Sequence, residues 1–195
     1  MKEVEILVEV LDSKENALDK LKKFNYEGVK RVLDVYFYDP KKEELKPDNK
    51  GRLSASFRLR DKDGKYFMTY KIDYFDSSDK WTHSDEHEIQ VSDLRTAENI
   101  IEHLGLKTLV EIDNTKHTYT TDKYEIVLED VKNLGLFLEA ERKNLKEKEG
   151  VVEVKKEIWE FIKSLEIKVS NELNLGKPEL MLRKNREKKN NHDRI

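Results

Sequence analysis

Cysteine is absent from this 195-residue chain. The chain therefore has no disulfide, no thiol nucleophile and no cysteine-ligated metal site. A long apolar run is also missing, since none approaches the roughly 20 residues that a membrane-spanning helix needs. No charged and then apolar leader precedes the first predicted strand, which begins at about residue 3. These absences predict a cytoplasmic protein with no membrane partner.

Charge of one sign does not predominate either. The 38 basic and 41 acidic residues give a formal net charge of −3, although charged residues make up 41% of the chain. This balance gives no general attraction to nucleic acid or to an anionic membrane, so a nucleic-acid partner is not expected. The sequence also lacks a glycine-rich phosphate loop of the P-loop type and a G-x-S-x-G nucleophile motif.

The charged residues instead alternate with apolar ones. Glu3, Glu5 and Glu9 alternate with aliphatic residues in the first segment, which predicts a strand with one acidic and one apolar face. The same alternation predicts about eight strands, mostly joined by short turns that favour antiparallel pairing. The predicted strands are 3–11, 32–38, 53–60, 66–72, 85–91, 107–119, 124–129 and 136–141. Helices are predicted to begin after Asp12, at residue 93 and at residue 151.

Some connections carry their own signals. Asp61-Lys62-Asp63-Gly64 predicts a hairpin turn, and residues 73–84 are expected to form a polar loop. Residues 1–182 are predicted to form one domain, and the basic stretch 183–195 a disordered tail. The predicted class is α+β.

The polar strand faces are sorted by sign. Glu86-x-Glu88 and Glu139-x-Glu141 repeat the first acid pair, whereas Arg58 and Arg60 form a basic strand face. Two interpretations stay open from the pattern alone: a sheet with one solvated face, or a closed barrel with a polar interior. In the second case the carboxylates suit Mg²⁺ or Mn²⁺, and the arginines, with Lys71, suit a polyphosphate.

Six segments in order resemble the CYTH superfamily, which includes class IV adenylate cyclases, thiamine triphosphatases and tripolyphosphatases. The resemblance covers roughly residues 1–182. The segments are Glu3-Val4-Glu5-Ile6-Leu7, Asp34-Val35-Tyr36-Phe37-Tyr38-Asp39, Phe57-Arg58-Leu59-Arg60, Thr69-Tyr70-Lys71, Glu86-His87-Glu88, and Glu129-Asp130-Val131 with Phe137-Leu138-Glu139-Ala140-Glu141.

The resemblance implies an eight-stranded antiparallel β-barrel, or tunnel, with a polar interior and helices packed outside. It implies a metal-dependent enzyme, with Mg²⁺ or Mn²⁺ as the cofactor, that acts on ATP, thiamine triphosphate or tripolyphosphate. The residues are assigned by matching positions. Metal binding is implied for Glu3, Glu5, Glu129, Glu139 and Glu141, phosphate binding for Arg58, Arg60, Lys71 and Lys116, and a place in the interior for Glu86 and Glu88.

Two positions depart from the family pattern. Leu7 occupies the position of the signature lysine, and Asn114 falls where many members carry a basic residue. Both substitutions make the expected interior less positive. Three hypotheses follow: a triphosphate-processing enzyme, a non-catalytic binder of nucleotides or polyphosphate, or a structural domain with solvated charges. The substrate, the metal and the oligomeric state, a homodimer included, are left open.

Overall fold

The computed structural model describes residues 2–43, 45–146 and 148–192, with the side chains of the last helix described up to residue 188. Within these residues the chain forms nine strands and four helices. They are β1 (Lys2–Glu3), β2 (Glu5–Glu9), α1 (Lys14–Leu21), β3 (Asn25–Tyr38), β4 (Ala55–Lys62), β5 (Lys65–Phe75), β6 (Trp81–Val91), α2 (Leu94–His103), β7 (Lys107–Thr120), β8 (Tyr124–Val131), β9 (Gly135–Arg142), α3 (Val151–Ser164) and α4 (Lys177–His192).

The strands belong to one sheet, in the order β1-β6-β5-β4-β3-β7-β8-β9-β2. β1 pairs antiparallel with β6, and β2 pairs antiparallel with β9. Only Val4 separates β1 from β2, so the two ends of the strand order meet within one segment of the chain. The predicted α+β class with an antiparallel β-barrel is confirmed. The strand count is nine instead of eight because the first predicted strand is interrupted at Val4.

By its contacts the chain divides into two compact units. The first unit comprises residues 1–31, 74–85 and 114–174, and the second comprises residues 32–73, 86–113 and 175–195. Each unit contains its own hydrophobic cluster and its own group of charged side chains. The prediction of a single domain over residues 1–182 stays a prediction.

The core of the first unit lies between its strands and the helices α1 and α3. Ile6 and Val8 of β2 are almost inaccessible to solvent, as are Ile158 and Ile162 of α3. Because side chains alternate along a strand, burying Ile6 and Val8 places Glu5, Leu7 and Glu9 on the opposite face. The apolar alternation therefore decides where the acidic side chains lie.

The core of the second unit lies between α2 and the strands β3 and β4. Phe37 and Leu59 pack with Ala97 and Ile101 of α2. The Asp93 side chain begins this helix by accepting a hydrogen bond from the Thr96 N–H at 2.6 Å. On β4 this packing places Leu59 on the covered face and its neighbours Arg58 and Arg60 on the other.

Several local predictions can be compared with the structure. The hairpin at Asp61–Gly64 is confirmed, since Lys62 pairs with Lys65 and both Asp63 and Gly64 have positive φ angles of 51° and 77°. The polar loop at 73–84 was predicted too long, because β5 extends to Phe75 and β6 begins at Trp81. The first helix is capped by Ser13, whose side chain accepts from the Asn16 N–H, and not by Asp12.

The structure differs from the sequence prediction in the basic segment that begins at residue 183. Helix α4 extends from Lys177 to His192, where a disordered tail was predicted. Its first turns are anchored by buried Glu179 and Met181, and the Arg183 Nη2 donates to the Lys50 carbonyl at 2.8 Å. These anchors lie before or at the start of the charged run, so its composition alone did not reveal them. Residues 193–195 lie outside the described residues.

Glu179 supplies a test of how α4 is held. Its carboxylate accepts from the Leu53 N–H at 3.2 Å, and burial raises the pKa of Glu179 to about 7. Because this pKa lies above the unfolded value of 4.5, stability should fall as the pH rises from about 4.5 to about 7. We expect Glu179→Gln, which keeps an acceptor oxygen, to lose this part of the pH dependence in thermal unfolding curves. The matched control is Glu187→Gln on the exposed side of α4. Identical pH dependence in the two variants would contradict the assignment.

Candidate functional site

A row of three glutamates crosses the sheet of the first unit. In the antiparallel pairing Glu5 lies opposite Glu141, and Glu141 lies opposite Glu125. Directly paired residues share a face and have Cβ atoms roughly 4.5–5.5 Å apart. Glu3, two residues before Glu5, is paired with Ser84 of β6. We call Glu3, Glu5, Glu125, Glu139 and Glu141 the carboxylate face.

The next row of the same face is mixed. Leu7 lies opposite Glu139, and Glu139 lies opposite Val127. Leu7 and Val127 are 3% and 5% exposed, so Glu139 is flanked on both sides by buried aliphatic side chains. At the position where the family pattern has a lysine, this face therefore has no positive charge.

The crowded carboxylates change the protonation of Glu141. Burial raises the pKa of the Glu141 carboxyl, and the charges of Glu5, Glu3, Glu139 and Glu125 raise it further, to about 8. Like charges held close together disfavour ionisation unless a cation compensates them. At neutral pH the Glu141 carboxyl therefore keeps its proton in the absence of such a cation.

Glu129 is a buried carboxylate that lies beside a lysine. It is 0% exposed, the Lys116 Nζ lies 3.2 Å from its Oε1, and the Asn114 Nδ2 donates to its Oε2 at 3.1 Å. A buried carboxylate of this kind is stabilised by its hydrogen bonds and its counter-charge. The metal role predicted for Glu129 and the phosphate role predicted for Lys116 stay predictions, and in this structure the two residues bind each other.

The basic side chains lie in the second unit. Arg60 donates two hydrogen bonds to the Asp34 carboxylate, from Nε at 2.7 Å and from Nη2 at 2.9 Å. Such a bidentate pair fixes the plane of the guanidinium group. Asp34, whose side chain is 3% exposed, lies opposite Arg60 in the β3–β4 pairing. Two of the Arg60 donors are thereby used within the protein.

Arg58 is held more loosely. Its guanidinium group lies 3.5 Å from Glu86 and 4.0 Å from Glu88, and it donates to the Tyr36 hydroxyl at 3.4 Å. Arg58 Nε is buried and has no hydrogen-bond partner among the described residues. We call Arg58, Arg60, Lys71, Asp34, Tyr36, Glu86 and Glu88 the arginine cluster.

Two further contacts complete the arginine cluster. Lys71 Nζ lies 3.9 Å from Glu86, and the Thr69 hydroxyl donates to Glu88 at 2.9 Å. The structure therefore brings the predicted phosphate residues Arg58 and Lys71 together with Glu86 and Glu88. The carboxylates orient the basic groups and partly neutralise them.

Two of the acids in these groups, Glu125 and Asp34, were not identified as site residues from the sequence. Glu125 has no acidic residue two positions away in its strand, and only the pairing of β8 with β9 shows that it faces Glu141. Asp34 was quoted only as part of a motif, although the same face of the neighbouring strand carries Arg60. Knowledge of the strand pairing would have been the signal for both.

The described part of the chain contains no group of three or more histidine, cysteine or acidic side chains arranged to hold a metal ion. The donor chemistry of the carboxylate face nevertheless fits a hard divalent cation, since it offers only carboxylate oxygens. The pKa of Glu141 is raised there by burial and then by the negative charges of the neighbouring acids. Binding of Mg²⁺ or Mn²⁺ would need new side-chain rotamers as well as loss of that proton.

Comparison with known proteins gives the family. The CYTH domain model matches residues 1–174. The chain belongs to the CYTH family. It is 32% identical over 175 residues to a protein of Methanocaldococcus jannaschii named "Putative adenylate cyclase", covering 88% of this chain and 93% of that protein.

Solved structures share the CYTH fold. A protein of Pyrococcus horikoshii superposes with a TM-score of 0.78 at 23% identity, covering 93% of this chain and 99% of the other. A protein of Vibrio parahaemolyticus, titled a putative adenylate cyclase, superposes with a TM-score of 0.71 at 14% identity, covering 92% and 97%. At these identities the likeness shows the fold alone.

CYTH proteins generally depend on divalent metals, and the carboxylate face has the donor type for them. No helix among the described residues is long and apolar enough to cross a membrane.

Glu141 provides a test of the carboxylate face in metal-free buffer. The Glu141 pKa of about 8 in the folded CYTH chain lies above the unfolded value of 4.5, so stability should fall as the pH rises between these values. We expect Glu141→Gln to be more stable than the native chain at pH 8.5, with little difference near pH 4.5. At about 1.4 kcal/mol per pKa unit the gain has an upper bound of ~5 kcal/mol, which water screening reduces.

The measurement is chemical denaturation at several pH values with a chelator present. Glu9→Gln is the matched control, because Glu9 lies on the same face of the neighbouring strand β2 but is exposed. Equal pH profiles for Glu141→Gln and Glu9→Gln would rule out the proposed crowding.

Proposed function

We propose that this CYTH chain is a divalent-metal-dependent enzyme that acts on a triphosphate-bearing small molecule. The observation that carries the proposal is the row Glu5–Glu141–Glu125, where burial and then the like charges of the neighbouring acids raise the pKa of Glu141 to about 8. A fold does not gain stability from such crowding, so a cationic ligand is the simple physical reason for it. The name of the Methanocaldococcus relative supports a nucleotide as one substrate.

The carboxylate face would hold the metal. Glu3, Glu5, Glu139 and Glu141 are the proposed ligands, and Glu125 is added because it shares the row of Glu5. A bound Mg²⁺ or Mn²⁺ would neutralise phosphate charge and polarise the phosphoryl group. The Glu141 carboxyl would release its proton on metal binding, so that metal affinity should rise with pH through about 8.

The arginine cluster would bind the phosphate chain. Arg58 is oriented by Tyr36 and Glu86, and Arg60 by its two bonds to Asp34. A guanidinium group whose plane is already fixed loses little side-chain entropy when it binds a phosphate oxygen. Lys71 would add a point charge, and Glu86 would have to yield part of its contact with both cations. The arrangement favours a polyanion strong enough to compete with internal carboxylates.

The direct test is turnover. We expect release of phosphate, pyrophosphate or a cyclic nucleotide from tripolyphosphate, thiamine triphosphate or ATP when Mg²⁺ or Mn²⁺ is present. Product would be followed by chromatography, which separates hydrolysis from cyclisation. Glu5→Ala should reduce the rate at least 100-fold, because it removes a ligand from the central row, and Arg58→Gln should mainly raise KM.

The control for the arginine variant is Arg95→Gln, which removes an exposed arginine of α2. Turnover by the native chain that does not exceed that of Glu5→Ala on all three substrates would refute the enzymatic proposal. An unchanged KM in Arg58→Gln would restrict the arginine cluster to a structural role.

A second candidate function, non-catalytic binding of nucleotide or polyphosphate, is favoured by Leu7. This buried leucine lies beside Glu139 and supplies no cation to the carboxylate face. A chain without that cation could bind a metal–triphosphate complex without turning it over. Cytoplasmic location and a homodimer remain predictions under either function.

Leu7→Lys distinguishes the two functions. The new ammonium group would lie opposite Glu139 and could add one charge-assisted contact to a phosphate, which predicts about tenfold tighter binding of tripolyphosphate. If the missing lysine is what limits catalysis, turnover rises together with affinity. Leu7→Met is the matched control, since it alters the side chain without adding charge. A similar affinity for tripolyphosphate in both variants would exclude a phosphate role for this position.

A further inference from the structure

The second half of β6 forms an edge of the sheet that has no neighbouring strand. β6 has β5 on one side and β1 on the other, and β1 pairs only with Ser84 and Asp85. Residues 86–91, which we call the β6 edge, therefore extend beyond β1 with no strand on that side among the described residues. Four consecutive side chains of this segment, at 87–90, are exposed. The free N–H and C=O groups of such an edge are a template for pairing with a further strand.

The β6 edge has one charged and one less polar face. Glu86 and Glu88 contact members of the arginine cluster, so both lie on the face of that cluster. Because side chains alternate along a strand, His87 and Ile89 lie on the opposite face. Ile89 is 63% exposed there, which is unusual for a β-branched side chain in a strand. Pairing of the edge with another strand would remove this apolar surface from water.

A groove of about 510 Å³ lies beside the β6 edge. Its lining includes Phe57, Met68, Tyr70 and Ile89. Phe57 and Met68 also pack against the hydrophobic cluster of α2, so the groove lies on the same side of the sheet as that helix. An apolar groove next to an unpaired edge is typical of an interaction surface. A strand added at the β6 edge would place alternate side chains next to this groove.

The sequence of the β6 edge favours one register for pairing with a second copy. Identical antiparallel strands are related by a two-fold axis normal to the sheet, so one residue lies opposite its own copy. A centre at Glu88 would set two carboxylates opposite each other, and a centre at His87 would set Glu86 opposite Glu88, both of which are destabilising. A centre at Gln90 lies one residue from the end of β6 and pairs fewer residues. A centre at Ile89 has neither disadvantage.

In the register centred on Ile89 the opposing side chains are compatible. The two Ile89 side chains pack against each other, and His87 lies opposite Val91 of the second copy on the same face. On the other face Glu88 lies opposite Gln90 and keeps its contacts within the arginine cluster. Directly opposed aliphatic pairs stabilise a sheet, and no like charges are directly opposed here. The charge pattern of the β6 edge is therefore complementary to itself.

We propose that two copies of this chain pair through their β6 edges, antiparallel and centred on Ile89, so that their sheets become continuous. The occupant of the edge and of the adjoining groove is a second copy of the chain. The inference uses residues of the second unit alone and does not depend on the proposed function.

Sedimentation equilibrium of the full chain, at concentrations up to about 100 μM, measures the association. We expect the native chain to form a dimer and Ile89→Lys to weaken it by about 100-fold, because two ammonium groups would then meet at the two-fold axis. Val152→Lys is the matched control, since Val152 of α3 is 76% exposed and lies outside the proposed interface. It should leave the association unchanged. Thermal unfolding shows that both variants are folded.

Cysteine cross-linking tests the register independently. The native chain has no cysteine, so a single introduced cysteine forms a disulfide only with another copy. Directly opposed residues have Cβ atoms roughly 4.5–5.5 Å apart, close enough for a disulfide after a small adjustment. Ile89→Cys should cross-link with itself under mild oxidation. A mixture of His87→Cys and Val91→Cys should give the mixed dimer, whereas neither variant alone should cross-link.

The other outcomes overturn the inference. A native chain that stays monomeric at the highest concentration would leave the β6 edge to a strand of a different protein. A dimer that Ile89→Lys does not weaken would be formed through another surface. Self-cross-linking of His87→Cys as fast as that of Ile89→Cys would indicate parallel strands. Cross-linking of Ile89→Cys no faster than that of Val152→Cys would reflect random collision alone.

Discussion

Strand alternation is the constraint on which the rest of this structure depends. Burying Ile6, Val8, Leu128 and Leu138 beneath α1 and α3 fixes the pairing of β2, β8 and β9. That pairing necessarily brings Glu5, Glu141 and Glu125 into one row on the opposite face. A slip of one residue would expose the core and bury the acids against the helices. The hydrophobic energy of the core thus maintains an electrostatically unfavourable row of carboxylates.

The charged side chains have different partners in the two units. In the second unit Arg58 and Arg60 have acidic or phenolic partners, and Arg60 with Asp34 forms a bidentate pair. In the first unit Glu129 is paired with Lys116, whereas burial and then the charges of the neighbouring acids raise the pKa of Glu141 to about 8. Internal neutralisation orients the basic groups. The negative charges of the carboxylate face make it suited to an external cation.

The two neutral residues on the face of the first unit have different consequences. Leu7 removes a charge and leaves Glu139 between aliphatic side chains, which affects the electrostatics of the carboxylate face. Asn114 keeps a polar group but changes its character, since its oxygen accepts where an ammonium group would donate. Under the proposed function the first change bears on how strongly phosphate binds, and the second on how Glu129 is held.

The sequence alone determined the alternation, and with it the α+β class, the antiparallel strands, the hairpin at Asp61–Gly64 and the acidic and basic strand faces. These are local properties, because a period of two and a turn signal can be read within ten residues. Only the tertiary structure decided four contacts of charged residues. They are the pairing of Glu125 with Glu141, the bonds of Glu129 to Lys116 and Asn114, the bidentate pair of Arg60 with Asp34, and the hydrogen bond from Leu53 to Glu179 of α4. Each joins residues that are distant in the chain, and strand pairing and burial, which no local pattern encodes, bring them together.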